Sequence, residues 1–237
     1  LIDAGISMRR ISQALRGAGL ELKGISGVLI THEHSDHISG LKMLVKHFHI
    51  PLYAPHTIAN RLRGKLPDKE PSLRIISVGE PFGLGGFLVR AFHTPHDTDE
   101  SVGYRVEGGG CFAIATDMGH VTDEVLEALT GADTVLIEAN HDVELLSDGS
   151  YPIYLKRRIL SNRGHLSNES CAKLALYLCR HGTRQIVLGH LSRENNRPEL
   201  ALSAVRAQLA GLPVELHCAP PAGELTLAVR EAEPCFQ

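Results

Sequence analysis

Apolar positions along the chain fall into two recurring spacings. Short runs rich in β-branched residues, each bounded by turn-forming residues, predict strands at Gly27–Thr31, Leu73–Val78, Phe87–Phe92, Val102–Val106, Cys111–Thr116, Thr134–Glu138, Gln185–Gly189, Val214–His217 and Leu225–Val229. Between them, three-and-four spacing predicts helices at Ser7–Ala18, His37–His47, Ile58–Arg63, Asp123–Leu129, Asn168–His181 and Pro198–Leu209. The clearest is Asn168–His181. Ser167 precedes it as an N-cap, Cys171, Leu174, Ala175 and Leu178 form its apolar stripe, and Gly182 ends it. Strands mixed with helices, including hairpin-like neighbours between residues 87 and 116, imply an α/β layered protein with mixed sheets. Neither a repeat nor a low-complexity linker interrupts the pattern, so residues 1–237 are expected to form a single domain.

Composition narrows the class. A chain of 237 residues that is 43% hydrophobic and 22% charged can bury a substantial core, which excludes disorder as its main state. No apolar run approaches the ~18 to 20 residues of a membrane span, and no signal-peptide pattern opens the chain. Leu1-Ile2-Asp3-Ala4-Gly5 reads as the end of a strand entering a turn, so an N-terminal piece is expected to lie outside this sequence. The cysteines Cys111, Cys171, Cys179, Cys218 and Cys235 are odd in number and contain no Cys-x-x-Cys pair. They fit neither a disulfide framework nor a thiolate zinc site, and a reducing, cytoplasmic setting is the simpler expectation. The net charge of −3 advertises no polyanion partner, and 5 Tyr, 6 Phe and no Trp give no aromatic-rich strip for stacking bases. The one compositional excess is 14 histidines.

Those histidines gather where strands end. GVLIT runs into His32, FLVRAF into His93 and His96, CFAIAT into Asp117, and QIVLG into His190. Side chains at strand ends are held by the sheet yet project from it, which suits a pre-organised metal site. Thr31-His32-Glu33-His34-Ser35-Asp36-His37 is the densest cluster. Alternate residues of an extended segment face the same way, so His32 and His34 can share one ion while the following turn sends Asp36 and His37 to a second. Imidazoles with a carboxylate suit Zn²⁺, Mn²⁺ or Fe²⁺ better than Ca²⁺ or Mg²⁺. His96, Asp117 and His190 are the natural further ligands. His93 and His120 lie near the ligand segments and read either as supports of the site or, preferably, as residues with no special role, while His47, His49, His56, His181 and His217 are assigned to surface or loop positions.

The run THEHSDH followed by Ile38-Ser39-Gly40-Leu41 resembles the His-x-His-x-Asp-His signature of the metallo-β-lactamase-fold hydrolases. LIDAG, TPHD (Thr94–Asp97), ATDMG (Ala115–Gly119) and GHLS (Gly189–Ser192) recur in that family's order. The resemblance implies an αββα sandwich of two mixed β-sheets flanked by helices, an α/β (α+β) fold with a dinuclear site at one edge and without the two strands with which members begin. Position by position, it gives one ion to His32, His34 and His96, the other to Asp36, His37 and His190, and makes Asp117 the bridge. Asp3 matches an acidic turn residue that supports the site without ligating. A bridging carboxylate resembles the phosphodiesterase, glyoxalase and lactonase members rather than the true β-lactamases. TPHD in place of the TPGH-T form points away from thiolesterases and lactonases.

Downstream, E-x-N-H-D at Glu138–Asp142, then YP-x-x-LK-x-RI, GHLSN and HLS-x-x-NN are similar to the YycJ-like (WalJ) branch, associated with DNA exonuclease activity, and more distantly to ribonuclease Z. That resemblance makes His165 the proton donor to a leaving oxygen, a role suited to a group that titrates near neutral pH. Asp36, Asp117 and His165 are thus the expected catalytic residues, with a metal-bridging hydroxide as nucleophile. Lys156, Arg157, Arg158 and Arg163 read either as a phosphate-contacting strip or as a solvated face, and His141 as a substrate contact or a support. Arg61, Arg63, Lys65 and Lys69 are expected on a loop over the site. The expectation is a dinuclear Zn²⁺ or Mn²⁺ hydrolase, with Fe²⁺ a third choice, acting as a nuclease or phosphodiesterase on nucleic acid with no membrane partner and an open oligomeric state. The alternative is a hydrolase of small carbonyl substrates such as lactones, thioesters or β-lactams.

Overall fold

The structure, a computed structural model, describes residues 1–66 and 73–229; Pro67, Lys69 and Cys235 lie outside them. The chain divides into two compact units, one of Leu1–Ala91 with Thr98–Val102, the other of Phe92–Asp97 with the chain from Gly103 onward. Each contributes a sheet with helices against it.

In the first unit, α1 (Met8–Gly17) starts at an N-cap where Ser7 accepts a hydrogen bond from Arg10 N. Strands β1 (Val28–Leu29), β2 (Leu52–Ala54) and β3 (Leu73–Ile75) form a parallel sheet in the order β1-β2-β3. The predicted helix His37–His47 is two helices, α2 (Ser35–Ile38) and α3 (Leu41–Phe48). Gly40 explains the break. Its amide donates to Ala4 O, and a Cβ there would stand 2.1 Å from Ile6 O, so the LIDAG turn occupies the space a continuous helix would fill. Helix α3 buries Leu41, Leu44 and Val45 at i, i+3 and i+4, and α4 (His56–Arg63) buries Ile58, Ala59 and Leu62 at i, i+1 and i+4, in each case one face of the helix. Strands β4 (Phe82–Leu84) and β5 (Phe87–His93) make an antiparallel hairpin. Its two-residue turn needs positive φ at both positions, met by Gly85 (61°) and Gly86 (88°).

The second unit carries β6 (Val102–Glu107), β7 (Cys111–Ala115), β8 (Thr134–Glu138), β9 (Gln185–Gly189) and β10 (Glu215–Cys218), in the spatial order β10-β9-β8-β7-β6. The β6–β7 pair is antiparallel, and the remaining pairs are parallel. Helices α5 (Asp123–Leu129), α6 (Val143–Asp148), α7 (Ile153–Ile159), α8 (Asn168–Arg180) and α9 (Pro198–Leu209) complete it. Helix α8 buries the predicted stripe of Cys171, Leu174, Ala175 and Leu178 in a core shared with Val135, Ile137, Ile186, Leu188 and Val205. Because β8 and β9 are covered on both faces, they read as continuous apolar runs rather than alternating ones.

Two further expectations fail locally. Residues Leu225–Val229 form no strand: Leu225 and Val229 are exposed, and Val229 lies against Gly110 instead of joining a sheet. Helices α6 and α7 escape prediction because α6 buries only Leu146 and α7 buries nothing, which leaves no apolar stripe to detect.

Candidate metal centre

In the first unit, the site is built from the LIDAG turn and the histidine-rich turn after β1. Asp3 sits in the left-handed region at φ 55°. Its Oδ1 accepts from Thr31 N at 2.8 Å, and its Oδ2 accepts from Thr31 Oγ1 and His37 Nδ1, each at 2.7 Å. Thr31 has given its only hydroxyl proton to Asp3, so its oxygen accepts from His32 Nδ1 at 3.0 Å. His32 and His37 therefore both carry hydrogen on Nδ1 and present the Nε2 lone pair. The His32 ring, fully buried, lies with its centroid 4.5 Å from that of His34 and 4.1 Å from that of His37. Asp36 Oδ2 is 3.7 Å from His37 Nε2. The packing has no slack: a Cβ on Gly5 would stand 1.5 Å from Asp36 O.

The second unit gathers His96, Asp117, Glu138, His165 and His190 from the ends of β5, β7, β8 and β9 and the turn before α8. Asp117 and His190 both adopt φ 57°, an uncommon conformation for residues with a Cβ that turns each side chain out of its strand. One oxygen, Asp117 Oδ1, lies 3.6 Å from His96 Nε2 and 3.4 Å from His190 Nε2. His96 Nδ1 faces Gly164 O at 3.3 Å and can only donate to it. His190 Nδ1 donates to Glu138 Oε1 at 2.9 Å. These two imidazoles thus also present Nε2 lone pairs.

Glu138 is the residue of this cluster that sequence reasoning missed. Fully buried at the end of β8, its Oε1 accepts from His165 Nδ1 at 2.7 Å as well as from His190, and its Oε2 accepts from Met118 N at 3.0 Å and Leu166 N at 3.2 Å. The signal was present, since TVLIE ends on an acid as other strands run into the candidate histidines and aspartate. Burial alone would raise its pKa. The hydrogen bonds from His165 and His190 outweigh burial and hold the carboxylate well below its usual range. Reciprocally, burial pulls the His165 pKa down, while the bond to Glu138, its charge and that of Asp117 prevail and raise it. For His96, burial dominates and favours the neutral ring.

The expected substrate contacts are placed unevenly. Lys156 Nζ donates to Ser147 O at 2.6 Å, Arg163 Nε donates to His96 O at 2.7 Å, and Arg158 pairs with Asp97 beside His96. Arg163 and Arg158 are thus fastened to the loop that carries His96, while Lys156 braces the end of α6. His141 is buried, its ring nitrogens have no hydrogen-bond partner among the described residues, and burial lowers its pKa. His93 lies half exposed against Glu124, and His120 Nδ1 faces Asn162 O and can only donate to it. In the first unit, Arg61 pairs with Asp99, and Lys65 Nζ donates to Glu33 O within the histidine-rich turn.

A family model described as the beta-lactamase superfamily domain matches residues 1–191. The chain belongs to the metallo-β-lactamase-fold superfamily. Within it, the chain is 38% identical over 209 residues to the exodeoxyribonuclease YycJ of Bacillus anthracis, covering 86% of this chain and 78% of that protein. This places it in the YycJ/WalJ-like branch. Among solved structures, the metallo-β-lactamase-fold protein YhfI of Bacillus subtilis superposes with a TM-score of 0.70 at 17% identity, covering 92% of this chain and 83% of that one. Zinc-bound PqqB of Methylobacterium extorquens gives 0.69 at 21% identity, covering 95% and 82%.

The superfamily implies divalent metal, and the donor set fits it. His32, His37, His96 and His190 each anchor Nδ1 to a protein oxygen, which fixes the ring and leaves Nε2 as a neutral ligand. At Asp117, two such nitrogens face one carboxylate oxygen at separations too long for good hydrogen bonds, an arrangement that a cation completes.

Proposed function

We propose that the chain is a metal-dependent phosphodiesterase acting as a nuclease. His32, His34 and His96 would hold one ion, Asp36, His37 and His190 the other, and Asp117 both, with Zn²⁺ or Mn²⁺ favoured by the imidazole-rich set. When bound, the ions supply Lewis acidity, lowering the pKa of water and stabilising charge on a phosphate. The chain's own residues do the rest. The single observation that carries the reading is the Glu138 hub, which links a metal-binding imidazole, His190, to a second imidazole, His165, whose Nδ1 is anchored in the same way.

With Nδ1–H donated to an ionised carboxylate, His165 holds its transferable proton on Nε2. The anionic partner favours the imidazolium, so His165 is suited to protonate the leaving oxygen of a broken phosphodiester. Asp3 keeps His32 and His37 in register through Thr31, and Arg163 and Arg158 fix the loop that carries His96. His141, buried and without a hydrogen-bond partner among the described residues, is the proposed contact to a bound substrate oxygen. Support for a nucleic-acid substrate comes from the exodeoxyribonuclease relative. Cys111, Cys171, Cys179 and Cys218 are free thiols, which accords with a reducing compartment, and no helix among the described residues is long and apolar enough to cross a membrane.

The test is a substrate screen of the metal-loaded protein. Bis(p-nitrophenyl) phosphate and end-labelled oligonucleotides are expected to be hydrolysed well above the rate for lactones, thioesters and β-lactams. Faster turnover of those carbonyl compounds would overturn the reading.

A further inference from the structure

Each of three sequence motifs places one residue in the second unit's cluster: Glu138 from E-x-N-H-D, His165 from GHLSN and His190 from HLS-x-x-NN. Asn140, Asn168 and Asn196 of the same motifs are buried as well, at 7%, 2% and 6% exposure. A buried amide is tolerated only where its hydrogen bonds are made, so each of the three has a partner to account for.

The motifs meet along residues 139–142, which follow directly on β8. On one side Asn140 N donates to Leu166 O and Asn168 N to His141 O, each at 2.9 Å, which holds the turn carrying His165. On the other side Ala139 N donates to Gly189 O at 3.0 Å and Ser192 N to Asn140 O at 2.8 Å, so the segment is bonded just before and just after His190. Because Asn140 N points to Leu166, it is the side chain that reaches His190: Asn140 Nδ2 donates to His190 O at 3.0 Å. Asn168 and Asn196 instead bond reciprocally, at 3.0 and 2.8 Å, and Asn196 also binds Ala139 O and Arg197 N.

His190 needs an anchor more than an ordinary strand residue does. It stands at φ 57°, a conformation that persists in a residue with a Cβ only where the surroundings over-determine it. Its ring is fixed at Nδ1 by Glu138. Glu138 and Asn140 are two positions apart, the spacing that puts side chains of an extended segment on one side, and they grip the same histidine at its imidazole and its carbonyl. A ring held only at Nδ1 could still shift with its main chain. Holding both ends fixes where Nε2 sits as well as where it points.

We propose that Asn140 is a positioning residue that locks the left-handed turn at His190 and so sets the direction in which Nε2 is presented to a metal ion. The proposal rests on His190 being a ligand and gives the asparagine of E-x-N-H-D a role separate from substrate contact.

The test uses zinc and the full chain. Asn140→Leu keeps the approximate shape of the side chain and lacks the donor, Asn140→Ala removes both, and Asn196→Ala removes a buried amide outside the anchor. Competition with a chromogenic chelator resolves the affinities of the two ions, and thermal melts of the chelated protein report stability. Both Asn140 variants are expected to weaken one ion at least about tenfold, the scale of losing a group that orients a ligand, and to leave the other within about twofold. Asn196→Ala is expected to lower Tm with both affinities unchanged. Combined with His190→Ala, Asn140→Leu is expected to leave the affinity of the remaining ion as it is, because the group it positions is gone. Unchanged affinities in the folded Asn140 variants, an equal loss in Asn196→Ala, or a further loss on top of His190→Ala each overturn the anchor and leave the metal centre standing. A wild-type chain that binds no zinc overturns the ligand assignment and the anchor together. Should neither Asn140 variant fold, the wild-type side-chain amide decides: its hydrogens are expected to exchange at least about tenfold more slowly than those of exposed asparagines in nitrogen-15 NMR, and exchange at the exposed rate overturns the anchor.

Discussion

Replacing Glu138 by glutamine removes one charge while leaving the shape of the side chain. The carboxylate accepts four hydrogen bonds, from His165 Nδ1, His190 Nδ1, Met118 N and Leu166 N, at 2.7 to 3.2 Å. An amide can accept at only one of its two heavy atoms, so its NH₂ must face at least one of these donors. If the NH₂ meets the imidazoles, His190 loses the anchor that fixes its ring, and metal affinity is expected to fall ten- to a hundredfold, or about 1.4 to 2.7 kcal/mol.

The pH dependence of stability has a definite sign. Glu138 is held below its unfolded value, so its contribution is present above about pH 4.3 and is lost as pH falls further. His165 is raised above its unfolded value, so its contribution is present below about pH 6.5 and is lost as pH rises through the folded value. The Tm gap between wild type and Glu138→Gln, measured on chelated protein, should therefore be widest between about pH 4.3 and 6.5 and narrow on both sides. Competition with a chromogenic chelator reads the affinity, and calorimetry reads the gap. An unchanged metal affinity together with a pH-independent gap would refute the role assigned to Glu138.

His165→Ala should lower phosphodiester kcat by about 10² to 10⁴ while keeping its full metal content, because the ring supplies a proton and no ligand; full activity in that variant removes the general-acid assignment. Gly5→Ala places a Cβ 1.5 Å from Asp36 O, so it should destabilise by at least about 1 to 3 kcal/mol and weaken metal uptake. Gly24→Ala meets nothing within 4 Å at an ordinary φ and should leave both unchanged, as thermal melts and metal titration of the two variants will show.

What could be read in advance follows from which forces act locally. The apolar stripe of Cys171, Leu174, Ala175 and Leu178 faces one core, so spacing alone locates α8. Gln185–Gly189 is buried along its whole length and Thr134–Glu138 everywhere but at half-buried Leu136, so both announce themselves as short apolar runs. Where a contact reaches across the sequence, the pattern falls silent. Gly40 divides a helix because residues 4 and 6 approach it, and nothing near Gly40 in sequence records that. The crowding of His32, His34, Asp36 and His37 into six positions was legible as a candidate metal cluster. Their tautomers were not, since Nδ1 of His32 is set by a threonine whose proton is held by Asp3. The left-handed turns at Asp117 and His190 are likewise tertiary impositions on residues with no such preference. Helix α7 lacks any buried side chain and so offers periodicity nothing to find.

The most direct measurement of the central claim is metal stoichiometry by elemental analysis of the full chain, alongside His96→Ala and His190→Ala. The account predicts two divalent ions per chain, with each variant losing one and retaining the other. A wild-type chain that holds fewer than one ion at saturating zinc or manganese, or variants that still hold two, would contradict it.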